Sequence, residues 1–119
     1  MDEDRSLGNI QIDDHVIENI AGTAAIEIDG VYSMCGNVKN GIIEFFGKKD
    51  YAKGVAVKID GNIVIISLSI VVGFGISIPK IAFLIQTNVK KRVEEMTGLQ
   101  VKEVNVNIKW VHFDDKEKS

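Results

Sequence analysis

Residues 77 to 113 constrain the fold more than any other stretch of this chain. They read Ser-Ile-Pro, a long apolar-periodic segment, Gly98, and then strict two-residue alternation. Ile81, Ala82, Ile85, Val89, Val93 and Met96 recur at helical spacing and predict a buried stripe. Lys90, Lys91, Arg92, Glu94 and Glu95 form its solvated remainder. Pro79 suits the first helical turn, where a missing N–H is harmless, and Ser77 is placed to cap it. Gly98 supplies a left-handed stop. Beyond it Val104, Val106, Ile108 and Trp110 alternate with Glu103, Asn105, Asn107 and Lys109, predicting a strand whose first set faces a core.

The same logic reads the rest of the chain. Ile10-Gln11-Ile12 predicts a short first strand within Gly8 to Ile12. Asp13 or Asp14 then caps a helix striped by Val16, Ile17, Ile20, Ala21, Ala24 and Ala25. Gly22 inside it costs about 1 kcal/mol of helix propensity and permits close approach to a sheet. Val31 to Cys35 reads as a strand. From Gly36 to Gly54 four glycines and Lys48-Lys49-Asp50 break the pattern, so a long loop is expected there. Val55, Val57 and Ile59 alternate into Gly61-Asn62, a hairpin turn, and a second strand follows. In that strand Val64, Ile66, Leu68, Ile70 and Val72 share one face, and Ile63, Ile65, Ser67, Ser69 and Val71 share the other. The expected order is β-α-β-loop-β-β-α-β. It makes an α+β two-layer sandwich with both helices on one face of a mostly antiparallel sheet. One domain over residues 7–113 is expected, with flexible charged tails at 1–6 and 114–119.

Composition narrows the function classes. With 119 residues, 14 basic against 17 acidic side chains, the formal charge is −3, which disfavours nucleic acid and anionic lipid as partners. Cys35 is the one cysteine, so no internal disulfide forms and a reducing compartment fits. The acidic N-terminus lacks a secretory apolar core, and the longest apolar run, Ile63 to Phe74, is short of the roughly 20 residues a membrane helix needs. The expectation is a cytoplasmic protein without direct membrane insertion.

Reactive chemistry is sparse. His15 and His112 have no second ligand at helical or hairpin spacing, so no metal is expected. Asp13-Asp14 and Glu94-Glu95 are neighbours pointing in different directions, unable to act on one bond. Val72-Gly73-Phe74-Gly75 precedes a helix, but the third glycine position of a dinucleotide loop holds Ile78. No catalytic residue and no cofactor are expected. What stands out instead is surface. The uncovered sheet face would carry Asn105, Asn107, Ser67 and Ser69 beside Ile65, and the glycine-rich loop interleaves Phe45, Phe46, Lys48 and Lys49. These nine residues are the interaction candidates. The lysine-aromatic loop also suits single-stranded nucleic acid, which makes a nucleic-acid-binding module the alternative. A pocket beneath residues 36 to 54 would suit a third reading, an accessory subunit that binds a small molecule or acyl group.

Several segments together resemble the alkaline shock protein family, the envelope stress response family of Gram-positive bacteria. They are Gly8-Asn9-Ile10 with Asp13, Ile20-Ala21-Gly22-Thr23-Ala24-Ala25, Gly30-Val31-Tyr32-Ser33-Met34, Ile78-Pro79-Lys80, Ile85-Gln86-Thr87-Asn88-Val89 and Val93 to Leu99. Val104-Asn105-Val106 and Val111-His112-Phe113 close the match, which spans residues 8 to 113. Phe74 stands where many members carry Tyr. The resemblance implies a small non-enzymatic cytoplasmic protein tied to envelope homeostasis and alkaline or general stress. It also implies self-assembly into a homo-oligomer and a protein partner. That partner would be a membrane-anchor protein or, for the shorter members, a fatty acid kinase-like neighbour.

Overall fold

The computed structural model describes residues 7–39, 42–45 and 52–113, with backbone alone at 37–39 and 42–45. The charged ends at 1–6 and 114–119 lie outside the described residues. Among those described, two helices and five strands follow in the order α1 (Asp14–Ile26), β1 (Val31–Lys39), β2 (Ile42–Phe45), β3 (Val55–Asp60), β4 (Ile63–Gly73), α2 (Ile78–Thr97) and β5 (Gln100–His112). The α+β expectation holds, with two differences. Residues 8–12 form no strand. Ile12 packs against the core, but among the described residues no strand lies beside the Ile-Gln-Ile triplet to complete a ladder. The expected loop from Gly36 to Gly54 contains the end of β1 and all of β2, paired antiparallel with Val38 opposite Ile43 and Lys39 opposite Ile42. Asn40-Gly41 between them is the dipeptide that favours two-residue hairpins, a sequence signal obscured by the surrounding glycines.

β4 is the spine of the sheet. One edge pairs along its full length with β5, in parallel, as expected for strands joined through a helix. The other edge is shared. β3 runs antiparallel beside Ile63–Leu68, and β1 runs antiparallel beside Ile70–Val72. Among the described strands, three of the four pairings are therefore antiparallel.

Both helices cover the face carrying Val64, Ile66, Leu68, Ile70 and Val72. These five pack with Ile17, Ala21, Ala24 and Ala25 of α1, Ile81, Ile85, Val89 and Val93 of α2, and Val101 and Val104 of β5. Each buried Ile or Val contributes roughly 1.5–3 kcal/mol relative to exposure. The buried stripes are narrower than the helical spacing predicts: Val16 and Met96 are exposed. Met96 lies in the last turn of α2, and Leu99, beyond the Gly98 stop, packs against the core there instead. Gly98 adopts the left-handed conformation, φ 76°. Asp13 and Ser77 occupy the N-cap positions, yet neither side chain caps. The first-turn N–H groups of Val16 and Ile81 bond the backbone carbonyls of Asp13 and Ser77.

Candidate interaction surface

The second sheet face is built from rows of residues in register across β3, β4 and β5. Lys58, Ile65 and Glu103 form one row, and Ala56, Ser67 and Asn105 the next. Ser69 pairs with Asn107. In the following row Ser33 of β1, Val71 and Trp110 align. Five candidates from the sequence, Ile65, Ser67, Ser69, Asn105 and Asn107, are thus brought together on this face. Asn107 donates to the Leu68 carbonyl at 3.2 Å and Asn105 to Glu103 at 3.4 Å. Phe45 lies in β2 in register with Cys35, while Phe46, Lys48 and Lys49 fall outside the described residues.

Alternation along β5 predicts Trp110 in the core. It is instead 53% exposed on the second face, because β5 bulges at Lys109 between the Ile70–Ile108 and Val71–Trp110 pairs. The extra residue reverses the alternation, so Val111 takes the core-facing place and Trp110 turns outward. Other aromatics gather at the end of the sheet where β4 and β5 finish. Tyr32, 53% exposed, stacks on His112 across β4, with ring centroids 3.8 Å apart and planes 14° from parallel. Phe74 and Phe113 meet at 4.6 Å. Sequence reasoning missed this cluster, since Tyr32 and His112 are 80 positions apart and only the sheet register unites them.

Between β1 and β3 a recess of about 480 Å³ is lined by Cys35, Lys53, Ser67, Ser69 and Lys109, with small residues for walls. Burial pushes the Cys35 thiol above its ordinary value of 9.0, and the nearby Lys109 charge opposes that shift. A protonated thiol is a poor nucleophile, which argues against reactivity at this site. His15 pairs with Glu18 at 3.4 Å on α1, so the two histidines have separate partners. Among the described residues no group of three or more His, Cys, Asp or Glu is placed to hold a metal ion. No described helix is long and apolar enough to cross a membrane.

The outer rim of β5 is treated unevenly. Near its start, α2 satisfies it: Val101 N–H donates to Glu94 Oε2 at 2.9 Å, Lys90 donates to the Val101 carbonyl at 3.0 Å, and Gln86 donates to the Val104 carbonyl at 3.0 Å. Lys90 and Glu94 also pair at 2.9 Å, and together these contacts hold the Glu94 carboxyl below its ordinary value, with the Lys90 hydrogen bond the larger cause. Helical spacing alone assigns both side chains to solvent and gives no sign of this role. The helices are tied together by Asn88, which donates to the Ala24 carbonyl at 2.8 Å, and by Arg92 on Glu27 at 2.6 Å.

Helices on one side and an aromatic, hydroxyl- and amide-bearing sheet face on the other define an α+β protein. The chain belongs to the alkaline shock protein 23 family, of cell envelope-related function, whose sequence model matches residues 2–113. It is 44% identical to the uncharacterized protein YqhY of Bacillus subtilis over 96% of this chain and 84% of that protein. It is 34% identical to YloU of the same organism over 87% of this chain and 88% of that protein. A stress response regulator gls24 homolog of Streptococcus pyogenes is 33% identical over 85% of this chain, which spans 57% of that longer protein. Among solved structures, a variant of the MamM CTD in a copper form superposes with a TM-score of 0.50 at 13% identity, covering 82% of this chain and 98% of that one. That likeness concerns the fold alone.

Proposed function

We propose that this protein serves cell-envelope homeostasis and stress response by contact, through self-association and a protein partner, without catalysis of its own. The observation that carries the reading is the second sheet face. It presents Trp110 and Tyr32, both half-exposed, beside Ser67, Ser69, Asn105 and Asn107, with no described helix over it. Large exposed aromatics framed by amides and hydroxyls are the composition of contact surfaces. A membrane-anchor protein or a kinase-like protein is the kind of partner that suits such a chain. Light scattering across a range of concentrations tests the reading, together with pull-down from an envelope extract. A mass rising above 13.1 kDa with concentration is expected. A monomer throughout, with no partner recovered, refutes it.

The recess favours a second reading, a small anionic ligand held by an accessory subunit. Among the described residues, Lys109 lines it beside the hydroxyls of Ser67 and Ser69. Native mass spectrometry of protein from its own host is expected to show an added mass that Lys109→Ala abolishes; an unliganded spectrum removes the reading.

A further inference from the structure

The bulge in β5 sets two unlike side chains next to each other on the second sheet face. Along a regular strand Lys109 and Trp110 would point to opposite faces. The register shift between the Ile70–Ile108 and Val71–Trp110 pairs keeps both on one face. Lys109 lines the recess between β1 and β3, where Ser67 and Ser69 of β4 supply hydroxyls. Among the described residues Lys109 has no ion-pair partner, and neither hydroxyl has a hydrogen-bond partner. The Cys35 thiol, kept protonated by burial, donates to the Gly36 carbonyl at 3.5 Å and adds no negative charge. Trp110 stands half-exposed in the next row, opposite Val71, two residues along β4 from Ser69 or roughly 7 Å away. Ser33 completes that row across β4, and its hydroxyl is buried with no hydrogen-bond partner among the described residues.

We propose that this face binds a nucleoside monophosphate, its phosphate seated at Lys109, Ser67 and Ser69 and its base stacked on Trp110. The inference rests on the anion reading of the recess above and names the rest of the ligand. A cation beside two unpartnered hydroxyls is a phosphate-binding set, since the ammonium supplies charge and each hydroxyl a donor. The recess, about 480 Å³, is of the usual size for a small-molecule site. An exposed indole offers a flat face on which any base stacks. The phosphate and the base of a mononucleotide are held apart by one ribose, which suits two subsites roughly two strand residues apart. Asn107, in the Ser69 row, spends its amide N–H on the Leu68 carbonyl and keeps its side-chain oxygen as an acceptor for a ribose hydroxyl. A free nucleotide fits better than a nucleic-acid chain, whose further phosphates would meet a protein of charge −3.

Trp110 is the one tryptophan of the chain, so its fluorescence reports the contact directly. Adenosine monophosphate added to the full chain is expected to quench it saturably. Adenosine is expected to bind roughly tenfold more weakly, and inorganic phosphate to displace the nucleotide without quenching. Lys109→Gln keeps the side-chain length, removes the charge and is expected to weaken nucleotide binding by about tenfold. Lys58→Gln, on the same face but outside the recess, is expected to leave it unchanged. Trp110→Leu, followed by calorimetry, is expected to weaken the nucleotide about tenfold and leave the affinity for inorganic phosphate as it was. Where Trp110→Leu does not fold, the comparison of nucleotide, adenosine and phosphate on the parent decides. A nucleotide that binds no tighter than inorganic phosphate, with both lost in Lys109→Gln, overturns the base subsite and leaves the anion reading standing. Equal affinities in Lys109→Gln and the parent overturn the placement of the phosphate. A chain that binds neither phosphate nor nucleotide removes the anion reading and this ligand together. A phosphorylated oligoadenylate that binds more tightly than the mononucleotide overturns the free nucleotide in favour of a nucleic-acid end.

Discussion

Gly54→Ala is expected to damage this protein far more than an exposed glycine substitution should. Gly54 sits where β1 and β3 meet along the shared edge of β4, with φ +81°. A Cβ there would lie 2.5 Å from the Cys35 carbonyl oxygen and 3.0 Å from that of Ser69. Both obstacles are backbone, so no side chain can swing away. The left-handed conformation costs an L residue about 1–2 kcal/mol. Relieving the clash costs a further 1–3 kcal/mol, roughly the usual scale of overpacking. It also endangers the bond from Ser69 N–H to the Gly54 carbonyl at 2.8 Å, worth about 1 kcal/mol. The total is about 4 kcal/mol, a large share of the roughly 5–15 kcal/mol that stabilises a typical domain. In urea denaturation, with a slope of about 1.5 kcal/mol/M, the midpoint falls by about 2.7 M. Gly61→Ala is the control: φ is +64° but nothing lies within 4 Å, so only the conformational cost of about 1 kcal/mol applies. If the two variants lose equal stability, the tight junction between β1 and β3 is not real and the reasoning fails.

Ile85→Ala removes a fully buried α2 side chain from between helix and sheet and is expected to cost about 2–5 kcal/mol in thermal unfolding; a loss under about 1 kcal/mol would show that the helix layer is loosely packed. Glu94 has a carboxyl held below its ordinary value of 4.5, so its contribution is present above that value and is lost as pH falls through the lower folded value. The amide proton of Val101 is expected to shift over that acid range by NMR and to lose the transition in Glu94→Gln; an unchanged transition would assign it to another group.

Much of the architecture is legible in the residues because it depends on local periodicity. The α2 stripe Ile81, Ile85, Val89, Val93 and the alternation of β4 report burial directly, since side-chain direction follows from the backbone repeat of a helix or strand. The glycine stop at Gly98 is equally local. Errors arise where a neighbour decides. The Ile10–Ile12 triplet alternates but pairs with no described strand, and β2 exists because β1 lies beside it. The sheet face with Ser67, Ser69, Asn105 and Asn107 is readable from parity, whereas the Tyr32–His112 stack depends on which strands adjoin.

The sequence alone determined that two amphipathic helices and a set of alternating strands must bury one common face, because apolar spacing is written residue by residue. Tertiary structure decided the register. One additional residue at Lys109 turned Trp110 from core to surface, and side chains of α2 took the outer backbone groups at the start of β5. Those choices depend on hydrogen-bond partners distant along the chain, and no local pattern encodes them.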